Sequence, residues 1–156
     1  MKNIKKIITL IALSFLCNAC ATYEAKYRDE ALKQNKSPKK EIEKRFYLIG
    51  DAGKSPMNGM SDGLTAFDKH IKGKNTTQDH VLFLGDNIYP SGLPKEGQKG
   101  YENAINALEG QVMSLENFNG NVIFLPGNHD WYSDGLNGLK RQEKYIEDAL
   151  GKNTFL

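Results

Sequence analysis

The chain has 156 residues, enough for one domain and too few for two. Its formal charge is +2, and Lys2, Lys5 and Lys6 account for all of that excess; without them the charge falls to −1, so the basic balance is no footprint of nucleic acid. The only two cysteines, Cys17 and Cys20, lie near the start, which excludes disulfide, thiol and cysteine–metal chemistry from the remainder.

The three lysines precede an apolar run, Ile7 to Leu16, that is shorter than the roughly 20 residues a bilayer span takes. Residues 1–19 therefore read as an export signal. Ala19 before Cys20 is similar to the lipobox of bacterial lipoproteins, in which Cys20 becomes the lipidated first residue. Leu16 stands one place upstream of the usual position, and a plain signal peptide or an uncleaved anchor is the other reading. The expectation is an exported protein of the periplasm or cell envelope, held to a lipid bilayer through its N-terminus. Residues 20–44 are almost all polar or charged and read as a solvated tether, with at most a frayed helix over 23–34.

From residue 45 the pattern alternates. Arg45 to Ile49 is a continuous apolar run and predicts a strand buried on both faces. Ser61 and Asp62 cap a helix carrying Leu64, Phe67 and Ile71. Val81 to Leu84 predicts a second buried strand. Tyr101, Ala104, Ile105, Leu108, Val112 and Leu115 recur at helical spacing. Val122 to Leu125 predicts the third strand. Leu139, Ile146, Ala149 and Leu150 mark a last helix, stopped by Gly151. The order βαβαβα with right-handed crossovers makes an α/β fold with mainly parallel strands.

Each strand ends alike. Phe46–Gly53 is FYLIGDAG, His80–Pro90 is HVLFLGDNIYP, and Val122–Trp131 is VIFLPGNHDW. Ligands of open parallel sheets bind at the carboxyl ends of the strands. Asp51, Asp86 and Asn128 should meet there, with Tyr89 and His129 close by. Carboxylate, amide and phenol oxygens on one edge suit a metal ion. Each feature alone leaves a structural role open: a Gly-Asp pair also makes a turn or a cap, and Tyr89 could simply pack over the sheet edge. His70, among lysines, and the lysine clusters at 39–40 and 72–74 read as solvated surface.

GDAG, GDNIY and GNHD together resemble the first three motifs of the calcineurin-like metallophosphoesterases, and the purple acid phosphatase branch more than the main group. The main group has Asp-x-His first, where this chain has Gly53. The resemblance covers residue 45 to about 150. It implies half of an α/β sandwich and a metal-dependent phosphoester hydrolase with two metal ions: iron(III) plus zinc, manganese or iron(II). It implies Asp51 and Tyr89 on the first metal, Asp86 bridging, and Asn128 on the second. His129 and Asp130 would be the catalytic pair, His129 meeting the substrate phosphate or leaving group and Asp130 orienting it. The implied reaction is attack of a metal-bound hydroxide on the phosphorus of a phosphoester substrate.

The family's two later histidine motifs have no match here. The chain has three histidines, and His80 lies about 20 Å from Asp86, at six residues of roughly 3.3 Å each. Residues 45–156 are thus expected to be the N-terminal part of a metallophosphoesterase domain, inactive as they stand. The rival reading is a non-catalytic, lipid-anchored surface or binding protein that keeps half the fold. A nucleotide-binding α/β domain ranks last, because no Gly-x-Gly-x-x-Gly or phosphate-loop lysine occurs. Substrate and oligomeric state are not legible.

Overall fold

The computed structural model describes residues 41–156. The export signal, Cys20 and the tether to residue 40 lie outside the described residues. The order is β1 (Arg45–Ile49), α1 (Asp62–Ile71), β2 (Asp79–Phe83), α2 (Tyr101–Met113), β3 (Asn121–Phe124), a 3-10 turn (His129–Trp131) and α3 (Leu136–Leu150). No helix among the described residues is long and apolar enough to cross a membrane.

Local signals explain the ends of the helices. The Ser61 hydroxyl accepts the Leu64 N–H at 3.4 Å, so it caps α1 as expected. The chain leaves α3 at Gly151, whose φ of 106° suits a residue without a β-carbon. The three strands form a parallel sheet in the order β1-β2-β3. Leu115 lies just past α2, which ends at Met113.

The strand order decides what the sheet buries. Successive right-handed crossovers between neighbouring strands place the connecting helices on the same side. Tyr47, Val81 and Val122 are level across that side, and Ile49, Phe83 and Phe124 form the next row. Leu64 of α1, Ala104 and Leu108 of α2, and Leu139 and Ile146 of α3 close over Val81, Phe83 and Phe124 in one core. The Phe83 and Phe124 rings stack at 4.1 Å and both are wholly buried.

The opposite side carries the row Leu48, Leu82, Ile123, with Phe46 beside His80. Phe46 is 57% exposed and Leu48 63% exposed. The expectation that β1 is buried on both faces is therefore overturned: its apolar run is continuous, but only Tyr47 and Ile49 meet the core. Leu84, read as part of the second strand, lies beyond it and is exposed, as is Ala149 at the end of α3. Past β3, the Phe124 N–H donates to the Thr154 carbonyl and the Leu156 N–H to that of Phe124, so residues 154–156 run parallel to β3.

Candidate metal centre

The carboxyl ends of the three strands interlock through their first residues after the sheet. The Asp51 N–H donates to the Gly85 carbonyl at 3.2 Å, and the Tyr89 N–H to that of Gly53 at 2.9 Å. These bonds hold the first two loops together. A β-carbon on Gly127 would collide with the Asp86 backbone and carboxylate, so only glycine lets the third loop approach. The His129 N–H then donates to Asp86 Oδ1 at 3.1 Å.

Of the residues expected at this edge, Asp51, Asp86 and Tyr89 are joined by hydrogen bonds, whereas Asn128, expected to meet the two aspartates, is bonded to Tyr132. The Tyr89 hydroxyl lies 2.6 Å from Asp51 Oδ1 and 2.7 Å from Asp86 Oδ2. Both aspartates hold left-handed backbone conformations, with φ of 56° and 54°. Such residues cluster at functional sites, where the surroundings impose them. The Tyr89–Pro90 peptide bond is cis.

One phenol proton cannot serve two carboxylates at once, so this is a crowd of oxygen donors short of positive charge. The hydrogen bond to Asp51 first, and that to Asp86 second, hold the phenol proton and push the Tyr89 pKa far above its ordinary value. Burial pushes the Asp86 carboxyl up, but the bonds from Tyr89 and the His129 N–H outweigh it and leave the group below its ordinary range. A cation at the meeting point would reverse the Tyr89 shift, because it favours the phenolate. The donor set thus fits a hard metal ion. Among the described residues no three His, Cys, Asp or Glu side chains cluster as a metal site; the third oxygen donor beside the two aspartates is Tyr89.

Asn128 is exposed on the third loop, and its amide donates to the Tyr132 hydroxyl at 2.7 Å. The His129 ring lies between Tyr89 and Tyr132, at 4.5 and 4.9 Å. Its Nδ1 is 2.7 Å from the Pro90 carbonyl. A carbonyl only accepts, so Nδ1 carries the proton of the neutral ring and Nε2 is the other nitrogen. His80 stacks on Phe46 at the far end of β2, and His70 is exposed on α1.

The expected pairing of Asp130 with His129 is not what the structure shows. Asp130 is wholly buried, and its carboxylate accepts from the backbone N–H groups of Gly127, Asn87 and Ile88. In the 3-10 turn, successive side chains point about 120° apart, three residues per turn. His129 therefore faces the edge while Asp130 turns beneath it. The same geometry brings Tyr132 over His129 three residues on, a residue the sequence reading missed although the spacing His-x-x-Tyr carries the signal. Asn87 was missed as well, since nothing in GDNIY separates a buried amide from an exposed one.

The family model of calcineurin-like phosphoesterases matches residues 44–155, well over half of the chain. The chain belongs to that family, whose members are metal-dependent phosphoesterases that usually bind two metal ions. No curated protein and no solved structure matches it.

Proposed function

We propose that this edge supplies ligands to a dinuclear metal centre for phosphoester hydrolysis, of the purple acid phosphatase type. The observation that carries the reading is the convergence of the Tyr89 hydroxyl on Asp51 and Asp86, within 2.7 Å of both. Asp51 and Tyr89 would hold one ion, Asp86 would reach both, and Asn128 would turn its amide oxygen to the second. Tyr89 favours iron(III) on the first position, with zinc, manganese or iron(II) on the second. Bound metals of this kind activate water and neutralise phosphate oxygens.

The chain's own contribution is placement and one mobile proton. The Pro90 carbonyl fixes the His129 tautomer, and the rings of Tyr89 and Tyr132 fix its tilt. Its Nε2 then binds a phosphoryl oxygen when protonated, or passes that proton to the leaving oxygen. We further propose that Cys20 anchors the exported protein to a bilayer. Cys20→Ser should shift it to the soluble fraction, and unchanged fractionation and mass would remove the anchor.

Four protein oxygen ligands, one of them shared, are few for two ions, since a catalytic zinc alone usually holds three. Residues 21–156 should therefore bind at most one metal per chain and turn over no aryl phosphate above background. Fusing residues 21–156 to a segment that carries the family's later histidine motifs should restore two metals and activity. Asp86→Asn should abolish both in that protein. With iron(III) bound it should be coloured, and Tyr89→Phe should bleach it. A colourless protein holding stoichiometric iron(III) would refute the phenolate ligand. A stop directly after residue 156, with no metal bound, would favour the surface-protein reading.

A further inference from the structure

Asp130 has no cation beside it among the described residues, yet it is wholly buried. Burial pushes its carboxyl up, and the amide bonds only partly offset that. A buried carboxylate is expensive unless hydrogen-bonded, so its partners are informative. Oδ2 accepts from Gly127 N at 2.7 Å, Asn87 N at 3.1 Å and Asn87 Nδ2 at 3.3 Å, and Oδ1 from Ile88 N at 3.1 Å. Asn87 and Ile88 are the two residues between Asp86 and Tyr89. Gly127 directly precedes Asn128. One carboxylate thus grips the backbone beside three of the four proposed metal ligands, from two different loops.

Helices brace the grip from below. Gln111 of α2 donates to the Asn87 carbonyl at 2.7 Å, and Gln142 of α3 to that of Asp130 at 3.3 Å. The Asn87 amide also donates to the Leu125 carbonyl at 2.7 Å. The side-chain oxygens of Asn87, Gln111 and Gln142 are buried and have no partner among the described residues. Unpaired buried oxygens cost stability, and each of the three amides directs an N–H to this one joint.

We infer that Asp130 is a positioning residue: its carboxylate sets the spacing between the second and third ligand loops, rather than the orientation of His129. The inference rests on the proposed ligand edge for its purpose, and its test is separable from it. The reporter is the His129 N–H, which bonds to Asp86 and not to Asp130.

The experiment is amide-proton exchange and chemical shift by NMR on the full chain, wild type against Asp130→Asn. An asparagine keeps the size but turns one acceptor into a donor facing amide N–H groups. The His129 amide should exchange roughly tenfold faster, while those of Thr65 and Lys72 at the ends of α1 should not change. A purely local role would free Ile88, Asn87 and Gly127 and leave His129 unmoved, and that result overturns the inference. If Asp130→Asn does not fold, Asn87→Ala removes only one of the four donors and should give the same pattern, more weakly; an unmoved His129 there is equally decisive. Cobalt(II) titration forms the second arm. Outer-shell partners of metal ligands typically change affinity about 10–100-fold, so a loss of at least tenfold is expected. Wild type that binds no cobalt would count against the metal reading, and the His129 amide would still decide the positioning role.

Discussion

The helix-covered face of the sheet and its carboxyl edge are built from the same three strands by opposite rules. The face is dry and regular, with Val81, Phe83 and Phe124 wholly buried and two rings stacked at 4.1 Å. The edge lies just beyond, yet it holds Asp130 and Asn87 buried, two aspartates at positive φ, and two carboxylates sharing one phenol. Apolar burial stabilises the face. The edge is held by hydrogen bonds that compete with its own charge. The difference teaches where stability and chemistry reside: one can be damaged with little harm to the other.

The largest expected effect is on the face. Phe83→Ala removes a ring that fills the centre of the core, and such changes typically cost about 3–5 kcal/mol. Urea unfolding should show that loss. A loss under about 1 kcal/mol would mean that the face is not the main source of stability. A middle-sized effect belongs to the junction. Gly127→Ala drives a methyl into Asp86, and overpacking typically costs about 1–3 kcal/mol. It should also weaken metal binding, so calorimetric titration and unfolding should fail together at this junction. The smallest effect is on the open side of the sheet. Leu48→Thr replaces an exposed leucine on a strand and should stay within about 0.5 kcal/mol. Its visible consequence should be less self-association in light scattering, because an apolar patch becomes smaller.

The sequence showed the strands and helices because apolar runs and helical spacing are local properties. It did not show which side of β1 is wet. Phe46 and Leu48 are as apolar as Tyr47 and Ile49, and the difference arises only from the side the crossovers occupy. The edge was legible to a similar depth. Asp51, Asp86 and Tyr89 were placed together because each follows a strand of one parallel sheet. Asp130 was paired with the wrong partner because adjacency in sequence suggests adjacency in space, while a 3-10 turn drives neighbouring side chains apart. Asn87, Gln111 and Gln142 left no trace, since a buried amide and a solvated one are the same letter.

The left-handed backbone at Asp51 and Asp86 narrows the substitutions these positions can accept. Glycine enters that region routinely and asparagine and aspartate occasionally, whereas most other residues lose roughly 1–2 kcal/mol there. Replacing either aspartate by alanine would therefore strain the backbone and remove the charge at once, while glutamate would keep the charge and strain the backbone. Asparagine is the replacement that keeps the chain's path and removes only the negative charge. Under selection the same restriction would steer drift at both positions toward amide or glycine, so a chain that had lost its chemistry would be expected to keep its turns.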